Sequence, residues 1–327
     1  MSESWVILGG AGFIGSHFAD ALMASNHVSK VRIIDNFSSG KIWHIQQHQH
    51  DARFTVVDQD LKDLNLLTSV CEGFNHALHL ASNPEISRAA VEPTIDFDNG
   101  TLLTQNALEA SRRAGIENFV YASGSGVYGD CGDLLLNEDH GPLITNSTYG
   151  ASKLAGESVI SAYCNMFDMR GTSFRFANVV GPRQTHGVVY DFIRKLRFDP
   201  QNLSVMGNGY QSKSYINVKD VVSGVLMAIR RQQADYRVFN IATDDYVNVR
   251  EIVQIVFEAM EILQDSATVH YSDNDRGWKG DVPVVRLDTA RIKGLGWEST
   301  MNTRSAIINS AQALLKEYDL ESAQTNK

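Results

Sequence analysis

The chain has 327 residues, 43% hydrophobic and 20% charged, a composition typical of a globular protein of about two domains. Its net charge of -9 argues against nucleic acid as a partner, because a phosphate backbone requires a basic surface. No apolar run approaches the roughly 18 residues that span a bilayer, and three cysteines do not suggest a disulfide framework. We therefore expect a cytoplasmic protein that binds neither nucleic acid nor membrane.

The first predicted strand, residues 6–8, runs into three glycines at three-residue spacing and then into an amphipathic stretch. Gly9, Gly12 and Gly15 allow a sharp turn, a close approach of a diphosphate to the backbone, and tight packing of helix on strand. The diphosphate would then lie at the helix N-terminus, where free N–H groups and the positive end of the helix dipole meet it. The pattern predicts a dinucleotide site.

Asp35 ends the second predicted strand, residues 31–34, twenty residues after Gly15. A carboxylate at this position accepts hydrogen bonds from the adenosine ribose and repels a 2′-phosphate. The sequence therefore favours NAD over NADP as the cofactor.

Apolar stretches that alternate with helical ones continue along the chain. We expect strands at 54–57, 76–82, 119–122 and 172–176, and helices at 18–24 and 101–114. Such alternation predicts right-handed crossovers and a Rossmann-type doubly wound parallel sheet, with ligands at the carboxyl ends of its strands. Several small or polar residues fall at these ends: Asp35, Asp60, Ala81, Ser82, Ser123, Ser125 and Asn178.

The rhythm becomes irregular after residue 182, with helical patterns at 188–196 and 220–231 and extended ones at 203–206 and 238–241. We expect a dinucleotide-binding domain over residues 1–178, to which about 215–242 returns. A smaller, interleaved α/β substrate-binding domain would occupy residues 179–327.

Three histidines lie among glutamines in residues 44–50. His44 and His48 could share a helix face and bind a metal. No Asp, Glu or Cys accompanies them at a catalytic spacing, so we expect a solvated surface helix and no metal site.

Tyr149 and Lys153 are four residues apart, so both side chains would project from one helix face. A cationic lysine beside a phenol is expected to lower the phenol pKa, so that the tyrosine exchanges protons near neutral pH. An exposed pair of this kind is common, but here it follows a nucleotide fingerprint and a strand end rich in small residues. We therefore predict that the pair is catalytic.

With these motifs in place, the chain resembles the extended short-chain dehydrogenase/reductases, and within them the NAD-dependent sugar-nucleotide epimerases and dehydratases. It is most similar to the UDP-glucose 4-epimerases, over nearly its whole length. The resemblance depends on segments in a fixed order: residues 9–15, 35–36, 60–61, 79–81, 127–129, 149–153, 175–183 and 277–283.

The resemblance implies the cofactor contacts. Asp60 and Leu61 would flank the adenine, Lys153 would bind the nicotinamide ribose, and Asn99 would contact the region behind the cofactor. Further contacts are expected along the strand ends and the glycine-rich turn: Phe13, Ile14, Asn36, Ser38, Gly40, Leu80, Ala81, Ser82, Ser123, Tyr149 and Phe176.

The resemblance also implies the reaction. Tyr149 would remove the proton of the sugar 4-hydroxyl as hydride passes from C4 to NAD, and the hydride would return to the other face of the 4-keto sugar. The substrate would be a nucleotide-diphosphate sugar, most simply a UDP-sugar. Asn178 would hold its phosphates or sugar, Lys213 and Arg276 its diphosphate, and Arg183 and His186 its sugar. Lys213 stands where the family usually has an arginine, and an ammonium lacks the bidentate fork of a guanidinium.

One position departs from the family. A catalytic Ser or Thr normally stands four residues before the Tyr of the Val-Tyr-Gly segment, and here that residue is Gly124. Either Ser125 reaches the sugar hydroxyl, or a water bridges to Tyr149. Ser123 and Ser125 could also merely satisfy the backbone of a turn. We take Ser125 as the third catalytic candidate.

The same strand end discriminates within the family. The dehydratases usually follow their Thr with an Asp-Glu pair, and the decarboxylases carry a nearby glutamate, whereas this chain has Ser125-Gly126. What remains is redox chemistry at C4, most commonly epimerisation. A net C4 dehydrogenase and a non-catalytic NAD-binding protein are the alternatives. A homodimer that packs helices 101–114 and 149–167 against their symmetry mates is a further expectation of the resemblance.

Overall fold

The computed structural model describes residues 2–263 and 266–325. Its strands are β1 Glu3–Leu8, β2 Val28–Asp35, β3 Phe54–Asp58, β4 His76–His79, β5 Asn118–Gly124, β6 Leu135–Leu136, β7 Arg170–Phe176, β8 Asn178–Val180, β9 Asn202–Val205, β10 Ser212–Lys213, β11 Tyr215–Asn217, β12 Tyr236–Ile241, β13 Val247–Asn248, β14 Thr268–Tyr271 and β15 Arg286–Leu287. Its helices are α1 Phe13–Met23, α2 Leu64–Cys71, α3 Leu102–Arg113, α4 Thr148–Phe167, α5 Val188–Phe198, α6 Val218–Arg231, α7 Val249–Ala259, α8 Ala290–Lys293 and α9 Thr303–Thr325.

Seven strands form the central sheet in the order β12-β7-β5-β4-β1-β2-β3. The pairs β1–β2, β1–β4, β2–β3 and β4–β5 are parallel. A parallel sheet is covered on both faces, which explains why β1 reads as an almost continuous apolar run with five consecutive buried residues. This is the predicted Rossmann-type α/β fold, and its strand order brings the ends of β1, β2, β4 and β5 to one edge.

The described residues group into two compact units. One comprises 1–127, 148–175 and 225–239, and the other comprises 128–147, 176–224 and 240–327. Residues 128–147 lie in the second unit although we expect them in the first domain, and so do residues 176–178, 215–224 and 240–242. The segment 128–147 joins the second unit because β6 pairs with β15 and because the Asn240 amide donates to the Leu136 carbonyl over 2.9 Å.

A buried cluster from α5, α7 and α9 forms a core of the second unit. Phe192, Ile255 and Ile307 belong to this cluster, together with Leu203 of β9. The clearest capping signal in this unit is Asn248, which accepts from the Glu251 N–H while the Glu251 carboxylate accepts from the Asn248 N–H. Packing and capping together therefore position the loops of the second unit.

The segment of histidines differs from the prediction. It forms two short 3₁₀ turns, Ile42–His44 and Gln46–His48, and His44 is fully buried. The His44 Nδ1 lies 2.8 Å from the Ala11 carbonyl oxygen, whereas the His48 Nε2 lies 2.7 Å from Asp20 Oδ1. The predicted surface helix is wrong because the His44 ring is used inside the protein, against the glycine-rich turn.

Among residues 2–263 and 266–325, no helix is both long and apolar enough to cross a membrane.

Candidate active site

The glycine-rich turn between β1 and α1 has no room for side chains. Gly9 has a φ of +81°, and a Cβ there would lie 2.7 Å from the Ala81 nitrogen. At Gly15, a Cβ would lie 2.5 Å from the Gly9 carbonyl oxygen. Gly12 is the N-cap of α1, and no side chain caps the helix. The first N–H groups of α1, from Phe13 onward, therefore have no side-chain cap. Such N–H groups at a helix N-terminus suit an anionic diphosphate.

Asp35 completes this cradle at the end of β2. It is 7% exposed, and its two carboxylate oxygens accept from the backbone N–H groups of Ala11 and Phe37, each over 2.9 Å. Burial raises the pKa of Asp35, and the two N–H donors act in the opposite direction. Each oxygen keeps a second lone pair for a ribose hydroxyl. The cradle therefore fits an adenine dinucleotide without a 2′-phosphate.

The other predicted cofactor residues of the first unit lie at or near the ends of the strands. The Asn36 side-chain amide donates to Asp60 over 3.1 Å, and the Asn36 side-chain oxygen accepts from the Ser38 N–H. These two hydrogen bonds order the loop after β2. A Cβ at Gly40 would lie 2.8 Å from Asp35 Oδ1. The remaining positions follow: Ile14 in the first turn of α1; Leu61, buried, after β3; Leu80, Ala81 and Ser82 after β4; and Asn99 in the π-helical turn Phe97–Thr101. Their cofactor contacts stay predictions, as does that of Phe176 at the end of β7.

Tyr149 and Lys153 occupy the first turns of α4. Lys153 is 4% exposed, and its Nζ donates to the Ala122 carbonyl of β5 over 2.8 Å. The same Nζ lies 5.5 Å from the centre of the Tyr149 ring and 5.2 Å from that of Tyr121. The pair is therefore assembled on one helix face and held against the end of β5.

The expected lowering of the Tyr149 pKa by Lys153 is wrong for the protein alone. The pKa of Tyr149 is raised to about 12, first by burial and second by the charge of Asp96, and Ser82 counteracts this only in part. Burial lowers the pKa of Lys153 to about 8, against the opposing effect of Asp96. Burial thus shifts both groups towards their neutral forms, because the site is desolvated.

The two serines flanking Gly124 have different surroundings. Ser123 is buried, and its hydroxyl donates to Glu157 Oε1 over 2.6 Å. Glu157 also forms a buried ion pair with Arg175 at 2.7 Å. Ser125 lies in the 3₁₀ turn Ser125–Tyr128, and a Cβ at Gly124 would meet no atom within 4 Å. Ser123 is therefore engaged in a structural contact, and Ser125 remains the candidate for a catalytic hydroxyl.

In the second unit, the two predicted phosphate-binding cations are already paired with carboxylates. The Lys213 Nζ lies 2.6 Å from Asp281 Oδ1. The Arg276 guanidinium donates to Asp130 Oδ2 over 2.6 Å and to the Asp281 carbonyl over 2.7 Å. These contacts order both side chains, each of which stays partly exposed.

The other predicted substrate residues of this unit lie between residues 178 and 186. Asn178 begins β8, where its backbone N–H donates to the Ser214 carbonyl over 3.3 Å. Arg183 has a φ of +63°, and its N–H donates to Glu317 over 2.9 Å. His186 is exposed, with Nδ1 3.3 Å from the Thr185 hydroxyl. Their contacts with a substrate stay predictions.

The sequence pattern does not single out Asp96, and it indicates His44 only as a possible metal ligand on a surface helix. Asp96 is 1% exposed and acts electrostatically on both Tyr149 and Lys153. His44 contacts the carbonyl of Ala11, within the glycine-rich turn. Neither residue has a local motif, since their partners are 52 and 33 residues away in sequence. Among the described residues, no three His, Cys, Asp or Glu side chains form a group that could hold a metal ion.

Comparisons with known proteins agree with this geometry. A model of the "NAD dependent epimerase/dehydratase family" matches residues 5–242. The UDP-glucose 4-epimerase of Mycolicibacterium smegmatis is 29% identical over 314 residues, covering 94% of this chain and 97% of that protein. A solved UDP-galactose 4-epimerase superposes with a TM-score of 0.85 at 35% identity, covering 96% of this chain and 99% of the other.

A second solved structure is that of the UDP-glucose 4-epimerase of Thermus thermophilus, which is in complex with NAD. It has a TM-score of 0.84 and 27% identity, and covers 95% of this chain and 99% of its own. The family model and these likenesses extend over the cradle, the end of β5 and the Tyr149–Lys153 pair. The chain therefore belongs to the NAD dependent epimerase/dehydratase family, whose enzymes use NAD as cofactor.

Proposed function

We propose that the protein is an NAD-dependent 4-epimerase of a nucleotide-diphosphate sugar, with UDP-sugars as its substrates. The observation that carries the proposal is the Tyr149–Lys153 pair beside a β5 end that lacks an acid. Residues 123–129 contain no carboxylate that could eliminate water in the manner of a dehydratase. The similar proteins named UDP-glucose and UDP-galactose 4-epimerases support the same choice.

Tyr149 is the proposed acid and base. Its phenol would take the proton of the sugar 4-hydroxyl and later return one to the inverted centre, the role of a positioned general base and acid. When bound, NAD supplies the hydride acceptor and donor for C4, and its oxidised ring brings a positive charge that favours the phenolate. Lys153 would hold the nicotinamide ribose while its Nζ stays fixed to the Ala122 carbonyl. The pKa of Tyr149 is raised to about 12 in the protein alone, chiefly by burial, so we expect the positive charge of the oxidised cofactor to favour the active base.

The second unit would supply the groups that bind the nucleotide diphosphate. We assign Lys213 and Arg276 to its phosphates, and Asn178, Arg183 and His186 to its phosphates or sugar. The ion pairs of Lys213 and Arg276 restrict both side chains before the substrate arrives, so less rotamer entropy is lost on binding.

Proton NMR of the purified protein with a panel of UDP-sugars and catalytic NAD tests the proposal. We expect the anomeric signals of one sugar to settle into those of two C4 epimers, with no net NADH.

Tyr149→Phe should lower turnover by about 10²- to 10⁴-fold, since a positioned acid–base group contributes this much, and should leave NAD bound. Net NADH with a released keto sugar would establish a dehydrogenase instead. An unchanged panel with bound NAD would support a non-catalytic protein, and full activity of Tyr149→Phe would refute the mechanism.

We also propose a homodimer through α3 and α4. Three apolar side chains at the ends of these helices are exposed: Leu102 by 37%, Met166 by 70% and Phe167 by 41%. Burying them in a second copy would be favourable at about 25 cal/mol per Å² of apolar surface. Sedimentation velocity should give a dimer that Met166→Asp weakens, whereas the same substitution at Met206, exposed by 59% outside these helices, should not. A monomer at all concentrations would contradict the dimer.

A further inference from the structure

Asp96 is a buried carboxylate beside the catalytic pair that the mechanism above does not use. It immediately precedes the π-helical turn Phe97–Thr101 and is 1% exposed. Its Oδ2 accepts from the Thr148 hydroxyl over 2.7 Å, and its Oδ1 accepts from the Asn83 amide over 2.8 Å. Both donors are neutral, so the hydrogen bonds hold the carboxylate without neutralising its charge.

The two hydrogen bonds join two segments of the site. Thr148 is the first residue of α4 and directly precedes Tyr149. Asn83, itself 4% exposed, directly follows Ser82 in the loop after β4, and its own oxygen accepts from the Glu85 N–H over 3.0 Å. One carboxylate therefore fixes the helix turn that carries the phenol to the loop that follows the fourth strand.

The surroundings of the pair contain few other charges. The groups that face Tyr149 are Asp96, Lys153 on its own helix, and the Tyr121 phenol of β5. Lys153 faces Asp96 and also His79 of β4, whose pKa is lowered to about 3 by burial, so its ring is neutral at physiological pH. Asp96 is thus the negative charge to which both members of the pair are exposed.

We propose that Asp96 is a positioning residue of the catalytic pair, which fixes the first turn of α4 through Thr148 and supplies the buried negative charge beside Tyr149 and Lys153. The charge acts in opposite senses on the two groups. It disfavours a permanently ionised phenol and favours the ammonium of Lys153. The phenolate would then form only when the positive charge of the oxidised cofactor is present. The inference depends on the proposed function for its catalytic role.

Asp96→Asn tests the charge, and Asp98→Asn is the matched control two residues along the same segment, where the side chain is half-buried. Removal of the Asp96 charge lowers the pKa of both Tyr149 and Lys153. The acid and alkaline limbs of kcat/KM against pH should therefore both move to lower pH, the acid limb by about one unit or more. The control should leave both limbs in place. Loss of activity in Asp96→Asn with unmoved limbs would show a merely structural residue.

A second readout does not require turnover. The absorbance of tyrosinate in the NAD-bound protein, minus that of the Tyr149→Phe variant, reports the Tyr149 phenol alone. We expect it to appear at lower pH in Asp96→Asn and at the original pH in Asp98→Asn. The same titration tests Asp96 even if no sugar of the panel reacts, so the two proposals fail separately. Equal titration in all three proteins would overturn the inference.

Thr148→Val tests the positioning and keeps the carboxylate, should Asp96→Asn not fold. It removes one donor and leaves the charge, so the phenol should not titrate at lower pH. Because a small misplacement of a reacting group can reduce the rate as much as a hundredfold, we expect kcat to fall by roughly tenfold or more. Wild-type kcat in Thr148→Val would overturn the positioning role.

Discussion

At the scale of single residues, the two serines at the end of β5 differ in what their hydroxyl groups contact. Ser123 and Ser125 stand on either side of Gly124, and from the sequence we expect a catalytic role for Ser125 and a cofactor contact for Ser123. In the structure, the Ser123 hydroxyl donates to the buried Glu157 over 2.6 Å, whereas Ser125 begins a 3₁₀ turn. The first serine therefore serves stability, and the second is available for chemistry.

Alanine substitution should separate the two serines. Ser123→Ala removes a buried hydrogen bond to a charged group and should lower the free energy of unfolding by about 1.5 to 3 kcal/mol. Ser125→Ala should unfold like the wild type, but its kcat should fall by roughly a hundredfold to a thousandfold, a typical loss for one catalytic hydrogen bond. Chemical denaturation and steady-state kinetics measure the two effects.

A third substitution uses the empty space at Gly124. A Cβ there would meet no atom within 4 Å, which leaves room for a serine, so Gly124→Ser in the Ser125→Ala protein should recover part of kcat. Gly126→Ser is the control, because its Cβ would make only an ordinary contact of 3.6 Å with Gly150. Wild-type kcat in Ser125→Ala would refute the assignment of Ser125 and favour a bridging water.

Residues with a local signature were predictable, and those with distant partners were not. Gly9, Gly15 and Asp35 follow a spacing set by the turn and by the second strand, and the structure places them in one cradle. The pKa of Tyr149 was predicted with the wrong sign, because the spacing of Tyr149 and Lys153 says nothing about burial or about Asp96. The solvation of a site is a property of the folded chain.

At the scale of elements, α4 connects the chemistry to the sheet. It carries Tyr149 and Lys153 in its first turns and Glu157 one turn further, all towards β5 and β7. Glu157 and Arg175 are 5% and 4% exposed in their side chains, and two hydrogen bonds of 2.7 and 3.0 Å join them. The ion pair fixes the helix against β7.

Breaking this pair should be costly. Glu157→Gln leaves the Arg175 charge buried without its partner, and we expect the free energy of unfolding to fall by about 3 to 5 kcal/mol. Glu92→Gln breaks the Arg88–Glu92 pair, whose side chains are 52% and 46% exposed, and should cost about 1 kcal/mol or less. Urea unfolding of both variants measures the difference. Equal losses would mean that the buried pair does not fix α4.

Strands were the most predictable elements. The apolar runs at 31–34, 54–57, 119–122 and 172–176 all fall within strands. Burial on both faces of a parallel sheet explains the continuous hydrophobicity of β5 and β7, whereas β3, at the edge of the sheet, has one buried residue. The prediction of a surface helix at residues 44–50 was wrong, because His44 packs against a turn 33 residues earlier in the chain. The polar composition of residues 44–50 therefore did not reveal that His44 is buried.

At the scale of the whole molecule, each of the two compact units holds some of the predicted site residues. The first holds the glycine cradle, Asp35 and the catalytic pair, and the second holds Lys213, Arg276 and the loops that carry Arg183 and His186. The interleaving itself was expected from the irregular pattern after residue 182. The assignment of residues 128–147 to the second unit was not, because it depends on a two-residue pairing of β6 with β15 that leaves no periodic signal.

The most direct test of the account follows the hydrogen at C4. The reacting sugar of the panel would be prepared with deuterium at C4 and mixed with an equal amount of a carbon-13-labelled sugar that carries hydrogen there. We predict that the epimer keeps its deuterium at C4, that none moves to the carbon-13 molecules, and that Tyr149→Phe forms the epimer about 10²- to 10⁴-fold more slowly. Loss of the deuterium to solvent, or its exchange between the two sugars, would contradict a 4-epimerase that returns the same hydrogen to the same molecule.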